Sequence, residues 1–222
     1  MSLAACRDVS VVYGEGEARV TALEGVDLAI EGAETLALRG RSGSGKTTLL
    51  HVLGGLVEPT TGVVDWQGRP LSTLDAAARA QTRSRGLAYV FQSANLLPHF
   101  TAFENVAFAV QASNHAERKE RFQPLALLEL VGLTEKADNL PAELSGGEAQ
   151  RVAIAAAAAR ESPLVLADEP TAELDERNER IVLEALARLR SQFGSTVVVV
   201  THSPRVADAV DRVIELRDGR AA

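Results

Sequence analysis

The first part of the chain alternates apolar and polar positions in the way that is typical of β-strands, with turn residues between the runs. This pattern predicts strands over residues 3–13, 20–30, 34–39, 62–66 and 87–91. The third run ends in a loop rich in glycine and serine, and the residues behind that loop, 45–53, have helical character. We therefore expect a strand, a glycine-rich turn and a helix in direct succession.

From about residue 92 to residue 142 the apolar positions change to a helical period. Thr101 and Glu104 have the spacing of a capping box, in which each side chain binds the backbone N–H of the other residue. Apolar side chains then recur at helical intervals, as Leu125, Leu128 and Val131 or as Leu127 and Leu130. This stretch is predicted to be mainly helical.

Strands and helices alternate over the rest of the chain. The pattern predicts a buried strand at 165–167, a helix at 176–192, a strand of valines at 196–200 and a final strand at 213–216. The pair Ser203-Pro204 has the form of a helix cap with proline at the first helical position. The alternation indicates an α/β fold with a mainly parallel sheet, helices on its faces and ligands at the carboxyl ends of the strands.

Composition narrows the class of protein. Apolar residues make up 46% of the 222, which is enough for a substantial core, and the formal net charge of -7 without a basic block argues against a nucleic-acid partner. The single cysteine, Cys6, excludes an internal disulfide framework. The longest apolar runs, such as 152–159, are too short to span a membrane, and Met1–Ala5 does not predict a signal peptide. We expect a protein that is soluble by itself and stays in the cytoplasm.

Residues 40–47, Gly-Arg-Ser-Gly-Ser-Gly-Lys-Thr, fit the phosphate-binding pattern G-x-x-x-x-G-K-[ST]. Its glycines allow close approach of the backbone, whose N–H groups face the anion together with the N-terminus of the next helix. Such a run is also found in ordinary turns, but a strand before it and a helix behind it favour nucleotide binding. The expected contacts are Gly40, Ser42, Gly43, Gly45, Lys46 on the β- and γ-phosphates, Thr47 on Mg²⁺, and the hydroxyl of Thr48.

A hydrophobic strand ends in two acids, Asp168 and Glu169. Because neighbouring strand residues point in opposite directions, we expect the two carboxylates to have different roles. Asp168 is predicted to hold Mg²⁺ directly or through water, and Glu169 to polarise the attacking water as a general base or positioning group. Two acids at a strand end are usually a solvated turn, but a phosphate loop on the same chain favours the catalytic interpretation.

The segment Leu144-Ser145-Gly146-Gly147-Glu148 opens a helix with a second capping box. A helix N-terminus with two glycines is a second anion site on the same chain, and one nucleotide does not need two. Here the sequence resembles the ABC ATPase family, whose signature is L-S-G-G-[QE]. The resemblance implies that two chains pack head to tail and that Ser145, Gly146 and Gly147 complete the nucleotide site of the partner.

The resemblance covers nearly the whole chain and carries further implications. It implies a P-loop NTPase core at 1–91 and 143–222, with an N-terminal antiparallel β subdomain and an inserted helical subdomain at 92–142. It implies an active ATPase with ATP and Mg²⁺, working as a homodimer or with a paired ATPase subunit. Integral membrane permease subunits would dock near Gln92 and the helical subdomain, on the cytoplasmic face of the cell (inner) membrane.

Four more residues match positions with a role in the family. Tyr13 stands where an aromatic stacks on adenine, although a strand aromatic often serves packing alone. Gln92 matches the glutamine that senses Mg²⁺ and couples to the transport partner. Asp175 matches the loop that crosses the dimer interface and also suits a helix cap. His202 matches the histidine that contacts the γ-phosphate, whereas His51, His99 and His115 have no expected role.

The chain departs from the common family pattern at three places. Thr47 replaces serine but offers the same hydroxyl. Ala172 and Glu173 add a charge near the expected dimer interface. Residues 155–159 are all alanine where the family usually has an Arg-Ala pattern, which shortens the side chains on the signature helix.

Residues 51–56 and 96–106 resemble a bacterial branch that includes lipoprotein-release and macrolide-exporter ATPases. This resemblance implies a motor for export, for extraction of lipoproteins or peptides, or for mechanotransmission through membrane subunits. Two alternatives stay open. The first is a regulatory ATPase of a membrane complex that moves no cargo, and the second is a soluble ABC ATPase of DNA repair or translation.

Overall fold

The computed structural model describes residues 2–112, 123–172 and 174–221, so His115 and Glu173 lie outside the described residues. The strands are β1 Ala4–Tyr13, β2 Val20–Ile30, β3 Thr35–Arg39, β4 Thr61–Trp66, β5 Arg69–Pro70, β6 Leu87–Val90, β7 Leu164–Asp168, β8 Thr196–Thr201, β9 Arg212–Arg217 and β10 Arg220–Ala221. The α-helices are α1 Lys46–Leu53, α2 Ala76–Gly86, α3 Ala102–Ala112, α4 Pro124–Leu130, α5 Gly146–Ala158, α6 Glu176–Phe193 and α7 Pro204–Asp208. Short 3₁₀ turns cover Gly16–Ala18, Leu71–Thr73, Thr134–Lys136 and Pro141–Glu143.

Two sheets organise the molecule. The first has the order β2-β1-β4-β5 and is antiparallel. The second has the order β10-β9-β3-β8-β7-β6, and its strands pair in parallel except for the short β10. The predicted α/β fold, with a mainly parallel sheet and an N-terminal antiparallel sheet, is therefore confirmed.

Strand alternation divides the core between the two faces of the parallel sheet. In β7, Leu164 and Leu166 belong to a cluster with β1, β2 and α1, whereas Val165 and Ala167 belong to a cluster with α3, α5 and α6. The valines of β8 divide in the same way. Continuous apolar runs are typical of strands that are covered on both faces, and the burial of both sets explains these sequences.

Both predicted capping boxes are present. Thr101 and Glu104 exchange hydrogen bonds with each other's backbone N–H at 2.8 and 3.1 Å, at the start of α3. Asp175 caps α6 by accepting from the N–H of Asn178 at 2.8 Å. The predicted cap at Ser203 differs, because its hydroxyl makes no cap bond and its N–H instead donates to the Thr201 hydroxyl at 2.9 Å.

Helix α2 is an element that the hydrophobic pattern does not predict. The described side chains of its residues 76–84 are exposed or half-buried, so no apolar period marks it. The signals that support it are a run of alanines and the N-cap Asp75, whose carboxylate accepts from the N–H of Ala78 at 2.7 Å. At its end Gly86 lies against Trp66, where a β-carbon would come within 2.2 Å of the indole ring.

In residues 2–112, 123–172 and 174–221, no helix has both the length and the apolar content that crossing a bilayer requires.

Candidate active site

The glycine-rich loop connects β3 to α1 at the carboxyl edge of the parallel sheet. Gly45 is the N-cap of α1 and has a φ of 99°, in the left-handed region that favours glycine. A β-carbon there would lie 2.4 Å from the carbonyl oxygen of Ala22 and 2.8 Å from the side chain of Leu23. Ala22 and Leu23 of β2 therefore lie directly against the backbone of Gly45. A larger residue at this position would have to displace them.

Lys46 points into the loop. Its ammonium group donates to the carbonyl oxygens of Gly40 and Arg41 at 3.0 and 2.9 Å, and the residue is 5% exposed. Burial lowers the pKa of Lys46, while the nearby carboxylates of Glu169 and Asp168 act in the opposite direction. A cation is thus held inside the loop by two carbonyl oxygens at the N-terminus of α1, and a helix N-terminus with a nearby cation suits an anion such as phosphate.

The side chains of Thr47 and Asp168 meet in front of the loop. The threonine hydroxyl donates to Asp168 Oδ1 at 3.2 Å, although the two residues are 121 positions apart in the sequence. Burial raises the pKa of Asp168, and the hydrogen bond from Thr47 partly offsets this effect. A hydroxyl and a carboxylate side by side are hard oxygen donors, so this donor set fits Mg²⁺.

Glu169 and His202 form a pair next to this position. Glu169 Oε1 lies 2.7 Å from His202 Nε2, and the two residues follow the adjacent strands β7 and β8. Glu169 has a φ of 45°, and its N–H donates to the carbonyl oxygen of Val200 at 3.0 Å. The prediction that strand alternation separates the two acids is therefore corrected, because a left-handed turn beyond the end of β7 directs Glu169 toward His202.

A polar cavity of about 760 Å³ lies beside the loop. Its wall is formed by Arg39, the loop residues 40–44, His202 and the end of β9 with residues 215–218. The volume is in the range of small-molecule sites. Arg39, Arg41 and Arg217 give this wall positive charge, partly neutralised by the ion pair of Arg217 with Glu215 at 2.6 Å.

The remaining predicted residues lie around this centre. Tyr13 ends β1 with 45% of its surface exposed, and its cross-strand partner is Val20. Thr48 is half-buried in the first turn of α1. Gln92 is exposed just beyond β6, and the carbonyl oxygen of the preceding Phe91 accepts from the side chain of Gln150 at 2.9 Å.

The signature segment lies apart from this centre. Ser145 caps α5, where its hydroxyl accepts from the Glu148 N–H at 3.3 Å and its own N–H donates to the Glu148 carboxylate at 2.8 Å. The hydrogen bonds that the Ser145 N–H and the Ser145 hydroxyl donate to the Glu148 carboxylate lower the pKa of Glu148. Across the described ranges, no hydrogen bond joins Ser145, Gly146 or Gly147 to loop residues 40–48 of the same chain. Within the described residues, the two helix starts that the sequence predicts to bind anions are therefore not joined by hydrogen bonds.

Two side chains that the sequence did not single out support the site. Gln150 is 3% exposed and ties α5 to the residue before Gln92. Asn178 donates its side-chain amide to Asp175 at 3.1 Å and packs against Gly147. Gln150 lies six residues beyond Leu144 in the signature helix, and Asn178 stands at the third position of α6, where a cap partner is expected. These positions in the sequence are the features from which the supporting roles of Gln150 and Asn178 could have been predicted.

Comparison with known proteins agrees with this geometry. The ATP-binding cassette MJ0796, dimeric in a post-hydrolysis state and bound to ADP and Pi, is similar with a TM-score of 0.87 and 38% identity over 98% of this chain and 96% of that chain. A second dimeric structure of MJ0796, a bacterial ABC transporter cassette, gives 0.86 and 37% over the same shares. CbiO1 from Clostridium perfringens, part of the ABC transporter complex cbiONQ, matches in fold with a TM-score of 0.88 and 24% identity, covering 100% of this chain and 87% of that chain.

Residues 23–172 match the ABC transporter family. Because this match covers more than half of the 222 residues, the chain belongs to that family. The chain is accordingly an ATP-binding and ATP-hydrolysing subunit, as the sequence predicted.

Proposed function

We propose that the chain is the motor subunit of a membrane transporter, which dimerises on ATP and releases the dimer on hydrolysis. The observation that carries this proposal is the meeting of Lys46, the pair Thr47–Asp168 and the pair Glu169–His202 at one edge of the parallel sheet. These groups provide charge neutralisation, cation ligands and a base in neighbouring positions, which are the parts that phosphoryl transfer to water requires.

Binding of the triphosphate is assigned to the loop and its helix. The backbone N–H groups of Gly40, Ser42, Gly43 and Gly45 surround the phosphates, and Thr48 adds a hydroxyl. Lys46 keeps its two carbonyl partners and would donate its third N–H to a phosphate oxygen. Tyr13, exposed at the end of β1, supplies a flat surface for the adenine ring.

Thr47, Asp168 and Gln92 are assigned to Mg²⁺. The contact between Thr47 and Asp168 places two oxygen ligands together, and Asp168 has a raised pKa because it is buried without a cation partner strong enough to offset burial. When bound, Mg²⁺ would neutralise negative charge on the phosphates. Gln92 follows β6, which pairs with β7, so it lies at the end of the strand next to Asp168. We assign its side-chain amide oxygen as a further ligand of Mg²⁺.

Glu169 and His202 are assigned to the chemical step. Glu169 orients a water molecule and accepts its proton while the water oxygen forms a bond to the γ-phosphorus. The bond from the γ-phosphorus to the bridging oxygen breaks, and ADP leaves with that oxygen. His202 contacts the γ-phosphate and, through its 2.7 Å contact, keeps the Glu169 carboxylate in place.

The dimer would complete each site. Gly146 and Gly147 stand in the first turn of α5, where helix geometry supplies no acceptor for their N–H groups, so these groups are free for a phosphate of the partner. Asp175 lies beside them and would cross the same interface. The dimeric structure of MJ0796, which is 38% identical to this chain, supports the proposal of a dimer.

A groove beside Gln92 suits a helix of a membrane subunit. It is lined by Tyr89, Phe91 and the alanines of α5, and its rim carries Leu97 and Phe108. Phe108 is 54% exposed and stacks edge-on with Phe100, which is 39% exposed, at a centroid distance of 6.1 Å. Exposed aromatics beside a groove mark an interaction surface. We assign residues 92–142 as the docking subdomain between core segments 1–91 and 143–222, on the cytoplasmic face of the membrane.

Segments 51–56 and 96–106 support assignment to the lipoprotein-release and macrolide-exporter branch. The second of these segments contributes Leu96, Leu97 and Asn105 to the groove, and Leu97 is exposed there. In such a complex the membrane subunits would bind the cargo. This chain would drive them by mechanotransmission.

The variant Glu169→Gln tests the proposal. It should retain ATP binding, lose about 10²- to 10⁴-fold in turnover because the base is absent, and accumulate as an ATP-bound dimer in gel filtration. The matched control is Glu184→Gln, an exposed glutamate of α6, which should behave as wild type. Normal hydrolysis by Glu169→Gln would contradict the assignment of the base, and a permanently monomeric variant would contradict the ATP-driven dimer.

A further inference from the structure

The first turn of the signature helix packs directly on the segment that contains Asp175. A β-carbon at Gly147 would lie 3.0 Å from Cγ and Oδ1 of Asn178, and one at Gly146 would lie 3.7 Å from the side chain of Leu174. Gly147 is buried. The absence of a side chain at Gly147 therefore lets Asn178 lie against the backbone of α5.

Asn178 is also bonded to Asp175 twice. Its backbone N–H donates to Oδ1 at 2.8 Å and its side-chain amide donates to Oδ2 at 3.1 Å. Both oxygens of the Asp175 carboxylate are thus held by one residue, and the opposite side of that residue touches Gly147. The side chain fills the space between the carboxylate and the helix start.

We propose that Asn178 is a positioning residue, which holds Asp175 and the Ser145–Gly147 turn in one fixed relation so that they meet a second copy of the chain as a single surface. This inference rests on the proposed function, in which both segments face the partner's nucleotide. The requirement is specific: the side chain at 178 must donate to a carboxylate on one side and offer a flat, short contact to a glycine on the other.

Three substitutions separate these requirements. Asn178→Asp keeps the shape and places a second carboxylate about 3 Å from Asp175 in place of the donor, whose present distance is 3.1 Å. Asn178→Leu keeps much of the volume and removes the donor. Asn178→Ser retains a hydroxyl donor at the third helical position and serves as the conservative variant. Arg177→Ala, one position earlier and exposed, is the matched control.

The experiment measures dimer formation and turnover separately from ATP binding. Each substitution is made alone and in the Glu169→Gln background, with ATP affinity of the monomer, thermal midpoint, kcat and the protein concentration needed for ATP-dependent dimerisation as readouts. We expect loss of the side-chain donor, in Asn178→Asp and Asn178→Leu, to leave monomer affinity for ATP unchanged. Both variants should lose about tenfold in kcat and need about tenfold more protein to dimerise, the effect of one charge-assisted hydrogen bond. Asn178→Ser should recover most of the difference.

The outcomes are distinguishable. If the parent Glu169→Gln dimerises with ATP and both Asn178→Asp and Asn178→Leu dimerise equally well in that background, the positioning role is refuted and the shared site stands. If the parent does not dimerise at any concentration, the shared site fails and the inference fails with it. If Asn178→Leu does not fold, Asn178→Asp and Asn178→Ser decide: equal dimerisation of the two refutes the role, and a deficit confined to Asn178→Asp supports it.

Discussion

In the loop at residues 40–47, one buried side chain carries the charge that we assign to phosphate binding. Lys46 is buried and bonded to two carbonyl oxygens of its own loop, so its position is set before any phosphate arrives. A charge that is already in place costs little reorganisation when the ligand binds, which makes it effective in stabilising bound phosphate. The pattern of residues 40–47 predicts this role, but the two carbonyl partners could be known only from the structure.

Lys46→Ala should weaken ATP binding by about tenfold to hundredfold, because hydrogen bonds to charged groups contribute about 1.5–3 kcal/mol. Equilibrium titration with a fluorescent ATP analogue measures the effect. Lys136→Ala is the control, since Lys136 lies on the surface and is 3.8 Å from its partner Glu148. Equal affinity of Lys46→Ala and wild type would exclude the phosphate-loop assignment.

The lone cysteine should be unreactive in the folded protein. Cys6 is 2% exposed in β1, and burial, with the carboxylates of Asp27 and Asp65, raises its pKa to about 12. At pH 8 the thiol stays protonated, and only the thiolate reacts with disulfide reagents. Titration with such a reagent should give no reaction in buffer and one thiol per chain in denaturant; rapid labelling of the native protein would contradict this.

Glu169 illustrates what a linear pattern leaves out. The two acids and their different roles were expected from the sequence, yet their separation arises from a left-handed residue with a φ of 45° and not from strand alternation. Because non-glycine residues rarely adopt this conformation, no propensity rule predicts it. The partner, His202, is 33 residues away and reaches Glu169 only because β7 and β8 are neighbours.

Elements were predictable where apolar periodicity was strong. The buried strands β7 and β8 and the helix α6 have boundaries within a few residues of those expected, and α3 and α5 begin at their predicted capping boxes. Helix α2 was not predicted because it buries little and so has no apolar stripe. The pairing order of the parallel strands was also not predicted. It depends on contacts between segments that are far apart in the sequence, and a local hydrophobic pattern carries no information about such contacts.

The start of α5 offers an element-level test. Ser145→Arg places a long cation at the capping box, removes the hydroxyl that accepts from Glu148, and fills the space in front of Gly146. ATP binding by the monomer should be unchanged, while turnover at saturating ATP should be abolished. Ser191→Arg, on the exposed end of α6, is the control. Full turnover by Ser145→Arg would refute the role of this helix start.

At the scale of the whole molecule, the exposed aromatic side chains of Phe100 and Phe108 form a surface outside the hydrophobic core. Phe100 and Phe108 contact each other edge-on beside the groove of α3 and α5, and both remain exposed. The chain has a net charge of -7, so two adjacent exposed aromatic rings differ from a surface that is otherwise rich in charged side chains. Such an apolar patch is typical of an interaction site. Phe91, which lines the groove, precedes Gln92 and accepts the hydrogen bond from Gln150 of the signature helix.

Phe108→Ser should reduce the fraction of the chain that sediments with membranes of the native host, because the groove loses its aromatic rim. Basal ATPase activity and the thermal midpoint should not change, since Phe108 is 54% exposed. Val213→Ser, 41% exposed on β9 and remote from the groove, is the comparison. Undiminished membrane association of Phe108→Ser would refute this surface as the docking site.

The separation of the signature turn from its own phosphate loop has a genetic consequence. If each composite site takes Glu169 from one chain and Ser145 from the other, a mixed dimer of Glu169→Gln with Ser145→Arg gathers both defects in one site and leaves the second site intact. Two alleles that are each inactive alone should therefore complement each other when co-expressed. A chain carrying both substitutions should be rescued by neither single variant, since every pairing then spoils both sites.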